Sequence, residues 1–138
     1  MKIIIAPDKY KGSLTSLQVC NAIQKGITAY DKDIDTAIFP MADGGDGFAA
    51  VLKYYLHSDT VFAESEDALG RKISASYEWD KKNKTAIIEL ATCSGIALLK
   101  KEERNPMITS TIGTGILICH AIKKGAKKIL LGIGGSAT

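Results

Sequence analysis

The sequence predicts an α/β fold, and three observations support this prediction. Two short apolar runs, residues 2–6 and 36–39, lie on either side of a stretch whose apolar residues recur at helical spacing, 16–29. Residues 72–79 alternate between polar and apolar side chains, which is typical of an antiparallel strand with one face in water. A last apolar run, 129–133, is typical of a parallel strand covered on both faces and leads into a glycine-rich loop.

The composition fits a globular protein and argues against several classes of partner. The chain has 138 residues, 46% of them hydrophobic, and a net charge of +3 with its lysines scattered along the sequence. This pattern gives no support for nucleic acid or a membrane surface as a partner. No apolar run approaches the length of a membrane-spanning helix, and no signal-peptide pattern precedes the first strand. The three cysteines show no Cys-x-x-Cys spacing, so we expect reduced thiols in a cytoplasmic protein.

The N-terminal part predicts a Rossmann-like β-α-β unit. A polar loop at 8–13 follows the first strand and precedes the helix over 16–29. Thr15 and Gln18 fit a capping box at the start of that helix. The second strand, 36–39, is expected to pair in parallel with the first through a right-handed crossover.

A second strand-to-helix loop, residues 41–47, contains three glycines and two carboxylates. Apolar residues at helical spacing follow it, which predicts a helix over about 46–57. Asp43 and Asp46 are placed to cap the first N–H groups of this helix and to favour its dipole. The same carboxylates could instead hold Mg²⁺, which prefers a few carboxylates together with phosphate oxygens. Both interpretations stay open at this point.

Beyond residue 58 the pattern changes from helical spacing to alternation. The alternating residues predict antiparallel strands joined by a turn and a charged loop. In order, the predicted elements are a strand at 60–63, a turn at 68–70, a strand at 72–79, a loop at 80–84 and a strand at 85–90. This region therefore belongs to a different layer from the opening β-α-β unit.

The last third of the chain contains three loops of distinct composition. Residues 91–95 are predicted to form a loop of small residues, and residues 100–106 a charged loop. Residues 109–115 combine four hydroxyl side chains with two glycines ahead of a helix. That helix, 114–124, is apolar nearly all round, so we expect it to be covered on more than one side. The final loop, 132–138, supplies glycines and two hydroxyls.

Three of the loops, at 8–13, 41–47 and 132–138, follow strands with the character of parallel strands. Ligands bind outside the carboxyl ends of the strands in open α/β sheets, so we expect these loops to share one crevice. Lys11 and Arg104 could balance phosphate charge, while the glycine-rich loops could place N–H groups against oxygen atoms. Neither the dinucleotide glycine fingerprint nor the phosphate-loop Gly-Lys-Ser/Thr pattern is present. The residues alone therefore predict an anion-binding α/β protein.

Each of these features also has a purely structural interpretation. Exposed lysines are more often solvated than functional, and Gly134-Gly135 is also a common turn sequence. The threonines before Gly113 could serve only as helix caps. His57 and His120 have no partner residue in the sequence, and we interpret both as structural.

Several motifs, taken in order, resemble one family, the bacterial glycerate kinases that phosphorylate D-glycerate with ATP. The similar segments are residues 5–13, 41–47, 104–106, 109–115 and 132–138. The first resembles the family's Ala-Pro-Asp-Ser-Phe-Lys-Gly-Ser, and the last its Gly-Ile-Gly-Gly-Ser-Ala-Thr. The departures are mild: Lys9 replaces Ser, Tyr10 replaces Phe, Asp46 replaces Glu and Phe48 replaces Thr.

The resemblance implies a two-domain α/β enzyme in which glycerate and Mg·ATP meet between the domains. Residues 1–60 would form the N-terminal part of a Rossmann-like domain, and residues 61–138 the beginning of an inserted α/β domain. The family continues well beyond the position of Thr138, so the resemblance implies a truncated glycerate kinase. We expect the fragment to be inactive by itself and to form a homo-oligomer through unpaired strand edges and apolar surface.

The resemblance also implies roles for individual residues. The predicted catalytic residues are Asp8, Lys11 and Asp43. The predicted substrate-binding residues are Ser13, Asp46, Ser94, Arg104 and Thr111. The predicted nucleotide- or phosphate-binding residues are Gly113, Thr114, Gly134, Gly135, Ser136 and Thr138. Asp43 and Asp46 are the predicted Mg²⁺ ligands, with ATP and Mg²⁺ as cofactors; the alternative is a non-catalytic anion-binding or assembly module.

Overall fold

The computed structural model describes all 138 residues, which form two compact units, Met1–Asp43 and Gly44–Thr138. A parallel strand pair lies in the first unit and a mixed four-stranded sheet in the second. This arrangement confirms the predicted α/β fold class. The predicted domain boundary near residue 60 concerns the parent fold and stays a prediction. No helix is both long and apolar enough to cross a lipid bilayer.

The first unit is a β-α-β unit with a capped helix. Its elements are β1 (Lys2–Ile5), α1 (Ser16–Tyr30) and β2 (Asp35–Ile38). β1 and β2 pair in parallel, with Ile5 opposite Ile38, as the crossover pattern predicts. The capping box is confirmed: the Thr15 hydroxyl accepts a hydrogen bond from the Gln18 N–H, and the Gln18 side chain accepts one from the Thr15 N–H.

The second unit is a mixed sheet with helices packed on it. Its elements are α2 (Phe48–Leu56), β3 (Asp59–Glu66), β4 (Lys72–Asp80), β5 (Thr85–Glu89), α3 (Ala91–Ser94), α4 (Ile112–Lys123) and β6 (Lys128–Gly132). Two short 3₁₀ turns, Ile96–Leu98 and Lys101–Glu103, precede α4. The strand order is β3-β4-β5-β6, in which the first two pairs are antiparallel and β5 pairs in parallel with β6.

β5 is one of the two inner strands of this sheet, and all five of its residues are buried. Ala86 and Ile88 belong to the same apolar cluster as Leu117 of α4, so one face of β5 lies against that helix. Glu89 points to the other face, where its carboxylate accepts hydrogen bonds from the first turn of α2. Helices on both faces explain why β5 is apolar without alternation at its centre.

The polar face of β4 is only partly in water, which corrects the predicted half-buried strand. Its first residues are exposed on that face, but Glu78 and Asp80 are buried. The reason is α2, which packs against β4 and β5. Lys53 of α2 lies 3.3 Å from the Glu78 carboxylate, and the Thr60 hydroxyl donates to the same carboxylate at 2.7 Å. These contacts compensate the burial of the charge.

Two predicted boundaries and one predicted loop also need correction. α2 begins at Phe48 rather than about residue 46, because Gly47 has a left-handed backbone (φ 90°) that ends the preceding loop. Residues 91–95, predicted as a loop, contain the single-turn helix α3 instead. β3 is an eight-residue strand that is longer than the predicted 60–63, because it pairs along its full length with β4.

The prediction that the last helix is covered on more than one side is wrong. Leu117 and Ala121 of α4 are fully buried against the sheet, as are Gly113 and Thr114 at its start. On the other face, Ile112 and Ile122 are largely exposed. Apolar residues therefore continue around the helix although only one face has a packing partner.

A hydrogen-bonded turn joins β3 to β4 around the buried carboxylate of Asp67. This carboxylate accepts hydrogen bonds from the N–H groups of Leu69 and Arg71 and pairs with the Arg71 guanidinium at 2.5 Å. Burial by itself would raise the pKa of Asp67, but the hydrogen bonds from Arg71 and Leu69 outweigh it and lower that pKa below its usual value. The turn therefore depends on an ionised carboxylate.

We expect Asp67→Asn to lower the free energy of unfolding by about 1–3 kcal/mol at neutral pH, because buried donors lose a charged acceptor. A carboxyl whose folded-state pKa is lowered stabilises the fold above its unfolded pKa of about 3.9, and this contribution disappears as pH falls further. The difference in free energy of unfolding between wild type and variant, measured by urea titration, should therefore become smaller below about pH 4. Asp59→Asn, at the exposed start of β3, makes the same charge change as a control. A loss of stability in Asp67→Asn that is the same at every pH would contradict this account.

Candidate functional site

In the first unit, the loop after β1 exposes three predicted site residues. Asp8, Lys11 and Ser13 are all on the surface. The loop is a tight turn in which the Ser13 N–H donates to the Tyr10 carbonyl at 2.9 Å, and Gly12 has a positive φ of 71°. The turn thus orders these polar side chains just beyond the carboxyl end of β1.

The loop after β2 contains the third predicted catalytic residue, Asp43, whose side chain is 71% exposed. Lys9 from the first loop places its Nζ 3.9 Å from the Asp43 carboxylate, and the lysine side chain is only 16% exposed. The covered stem holds the cation beside this carboxylate. The structure therefore brings the two loops of the first unit together, and the lysine that departs from the family pattern lies between them.

Sequence reasoning missed Ser16, which lies behind these two loops. Its hydroxyl donates to the Pro7 carbonyl at 2.8 Å and accepts from the Met41 N–H at 2.8 Å. Ser16 is buried, although it occupies the first position of α1. The sequence contains one signal for this role, because Thr15 and Ser16 are adjacent hydroxyl residues. One hydroxyl is sufficient to cap a helix, so the second is available for another contact.

In the second unit, the glycine-rich loop after β6 lies directly against the loop before α2. A Cβ on Gly134 would lie 2.5 Å from the Gly45 Cα, and one on Gly132 would lie 2.8 Å from the Gly44 carbonyl oxygen. The Gly134 N–H donates to that Gly44 carbonyl at 3.0 Å. The glycines are therefore required by backbone contact as well as by any role in binding.

Three N–H groups of this loop, those of Gly134, Ala137 and Thr138, donate within the protein, whereas two successive ones do not. The Ala137 N–H donates to the Ser94 carbonyl and the Thr138 N–H to the Ser136 hydroxyl. The N–H groups of Gly135 and Ser136 donate to no protein atom, and Gly135 has a left-handed φ of 73°. Successive N–H groups around such a residue form a concave site for one anionic oxygen. The Ser136 and Thr138 hydroxyls, 2.7 Å apart, lie beside it.

The N-terminus of α2 is occupied by Glu89 rather than by the aspartates predicted to cap it. The Glu89 carboxylate accepts hydrogen bonds from the Gly47 N–H at 3.0 Å and the Ala49 N–H at 3.1 Å. Gly47, the residue that precedes α2, makes no side-chain cap. The carboxylate of Asp46 instead lies against Gly135, where a Cβ would come within 2.5 Å of it. Asp46 is therefore exposed next to the unoccupied N–H groups.

The segment with Arg104 is held between two parts of the second unit. Glu103 pairs with Arg71 at 2.8 Å and accepts a hydrogen bond from the Lys100 N–H. The pKa of Glu103 is lowered, mainly by the hydrogen bond from the Lys100 N–H and to a smaller extent by Arg71. The Thr109 hydroxyl donates to the Ala137 carbonyl, which ties the segment to the glycine-rich loop. Arg104 itself is exposed.

Three predicted binding residues lie behind the loop rather than on its surface. The hydroxyls of Ser94 and Thr114 are buried and bond each other at 2.9 Å. Gly113 is buried because α4 begins against β3: a Cβ there would lie 1.9 Å from the Glu66 carbonyl oxygen. In this geometry these residues support the loop, and binding roles for them stay predictions. Thr111 is exposed and precedes α4 without a side-chain cap.

The structure contains no group of three or more His, Cys, Asp or Glu side chains that could hold a metal ion. The predicted Mg²⁺ ligands are the two exposed carboxylates Asp43 and Asp46. Carboxylate oxygens are suitable donors for Mg²⁺, which takes its remaining ligands from water and phosphate. The predicted ligand role, and the expectation that the three loops share one crevice, stay predictions.

We expect Gly134→Ala to lower the free energy of unfolding by about 1–3 kcal/mol, because its Cβ would meet backbone atoms that cannot rotate away. Gly115→Ala is the matched control, since a Cβ at that exposed position of α4 meets nothing within 4 Å. Alanine in a helix interior should be neutral or stabilising by up to about 1 kcal/mol. Thermal and urea unfolding of both variants test this, and equal stability of the two would contradict the close backbone contact.

Comparisons with known proteins agree with the resemblance seen in the motifs. The model of the glycerate kinase family matches residues 3–138. A glycerate kinase of Halalkalibacterium halodurans is 43% identical over 99% of this chain, and a glycerate 2-kinase of Escherichia coli K12 is 42% identical over 100% of it. The chain spans 36% of the length of each of these two relatives.

A solved structure shows the same fold. The crystal structure of a protein provisionally named glycerate kinase 2, from Salmonella typhimurium LT2, superposes with a TM-score of 0.80. The two chains are 39% identical, and the match covers 99% of this chain and 37% of that one. Sequence, motif order and fold therefore agree over nearly all of the residues, and this chain belongs to the glycerate kinase family.

Proposed function

We propose that this chain is the N-terminal piece of a glycerate kinase that transfers the γ-phosphoryl group of ATP to a hydroxyl of D-glycerate. The observation that supports this most directly is the pair of unoccupied N–H groups at Gly135 and Ser136, in a chain of that family. The pair offers hydrogen-bond donors to one phosphate oxygen. We further propose a cytoplasmic location, which the three free cysteines favour.

Phosphoryl transfer depends mainly on positioning and on neutralising charge, so the proposed roles are those of donors and cations. Lys11 and Arg104 would bind the glycerate carboxylate or phosphate oxygens. The Ser136 and Thr138 hydroxyls, next to the two free N–H groups, would donate further hydrogen bonds to phosphate. Bound Mg²⁺, held by Asp43 or Asp46, would supply charge neutralisation to the phosphates.

The proposed general base is Asp8 or Asp43. Asp8 is exposed, and its Oδ1 accepts a hydrogen bond from the Lys9 N–H at 2.6 Å, which limits the rotation of the carboxylate. Asp43 is exposed beside the Lys9 ammonium. Either group could take the proton of a substrate hydroxyl as that hydroxyl attacks the phosphorus atom.

A second candidate is a non-catalytic assembly module derived from the same fold. The observation that favours it is the exposed apolar surface of α4, where Ile112 and Ile122 are 61% and 56% exposed. Ile112, Ile116 and Cys119 of α4 and Glu64 of β3 line an open groove of about 590 Å³. Exposed apolar patches mark interfaces, so a self-associating chain without turnover would fit this candidate.

A coupled assay of ADP release separates the two candidates. The protein at full family length should turn over D-glycerate with ATP. The 138-residue chain should not exceed a boiled control, because it spans 36% of the length of its relatives and lacks whatever groups the remainder supplies. If the full-length protein turns over neither enantiomer of glycerate, the proposed activity is rejected. If the 138-residue chain alone shows turnover, the rest of the full-length protein is not needed for activity.

In the full-length protein, Lys11→Met should lower turnover by about a hundredfold or more, because it removes a cation from developing negative charge. The fold should be unaffected, since Lys11 is exposed and buries no charge. Lys25→Met, at an exposed position of α1, makes the same change away from the loops as a control. Equal rates for the two variants, at unchanged melting temperature, would show that Lys11 is only a solvated loop residue.

A further inference from the structure

Three atoms close a small hydrogen-bonded ring behind the two loops of the first unit. The Met41 N–H donates to the Pro7 carbonyl at 3.0 Å and to the Ser16 hydroxyl at 2.8 Å. The same hydroxyl donates to the Pro7 carbonyl at 2.8 Å. Pro7 begins the loop after β1, and Met41 begins the loop after β2. The ring therefore joins the two loops at the points where they leave their strands.

The Ser16 hydroxyl is not needed for the start of α1, because the Thr15–Gln18 capping box performs that function. Only 4% of Ser16 is exposed, so its hydroxyl cannot exchange its two partners for water. A buried hydroxyl with both a donor and an acceptor partner costs free energy to remove, since both partners lose a bond. The position of this serine thus serves the loops rather than the helix.

Besides this ring, an exposed and weak ion pair also links the two loops. Lys9 and Asp43 lie 3.9 Å apart, with the carboxylate 71% exposed. Ion pairs in water contribute about 0–1 kcal/mol and fix geometry poorly. The buried ring is therefore the stronger constraint on where Asp43 lies relative to Asp8 and Lys11.

We propose that Ser16 is a positioning residue whose hydroxyl holds the loop after β1 and the loop after β2 in one fixed arrangement. Its role in binding rests on the proposed function, because it acts through Asp8, Lys11 and Asp43. Loss of the hydroxyl leaves the Met41 N–H with the Pro7 carbonyl as its single acceptor, so one hydrogen bond instead of a closed ring joins the two loops and their relative position is less well fixed. Anions that contact both loops then bind more weakly, while the helix and the strand pair remain.

The first test measures amide hydrogen exchange by NMR in the 138-residue chain. Ser16→Ala should speed exchange of the Met41 N–H by about tenfold or more relative to the Val19 N–H inside α1. Thr15→Ala is the matched control, because it removes a neighbouring hydroxyl that caps α1 but leaves the ring intact. Ser16→Thr keeps the hydroxyl and should restore slow exchange. Unchanged Met41 exchange in Ser16→Ala, or equal effects of Ser16→Ala and Thr15→Ala, would overturn the proposal.

The second test titrates D-glycerate and inorganic phosphate against the same variants and follows the amide signals of residues 8–13 and 41–43. The dissociation constant should rise about tenfold in Ser16→Ala and stay near wild type in Thr15→Ala. Equal affinity of Ser16→Ala and wild type would overturn the positioning role. If wild type binds neither probe, the proposed function fails for this chain, while the exchange experiment still decides whether Ser16 links the loops.

Discussion

The close contact between two glycine-rich backbones determines the geometry of the second unit. Residues 132–135 lie so near to residues 44–46 that a Cβ on Gly134 would come within 2.5 Å of a backbone atom. This contact fixes the end of β6 next to the start of α2, and the Gly135 and Ser136 N–H groups that follow have no internal partner. The Glu89 carboxylate completes the arrangement by occupying the N–H groups that α2 would otherwise present.

Much of the fold could be predicted from the sequence because its signals are local. Helical spacing, the Thr15–Gln18 capping box and the alternation in β4 depend on neighbouring residues, and the helix, the cap and the strand that they predict are all present. Burial was predicted less well because it depends on elements distant in the chain. The buried carboxylate of Glu78 could not be predicted without knowing that α2 covers that end of β4.

The residues of the candidate site also differ in how well the sequence predicted them. Composition marked the loops and their charged residues, such as Asp8, Lys11 and Arg104, because loops on a rigid scaffold often carry binding residues, and these three side chains are exposed. Residues that support the loops from behind were missed or given other roles. Glu89 ends an apolar strand, Arg71 follows a turn, and Ser16 stands beside a helix cap. Each has at least one partner more than fifteen residues away, and a local sequence pattern does not show that contact.

The parallel pairing of β5 with β6 has a consequence for the order in which the second unit folds. β3, β4 and β5 are joined by short connections, whereas β6 reaches β5 only after α3, two 3₁₀ turns and α4. Closing so long a connection costs chain entropy before any contact is gained, so we expect the antiparallel strands to pair first. The glycine-rich loop that follows β6 would then take its final shape only when the sheet is complete. Anion binding by this loop would report the last step of folding rather than an early one.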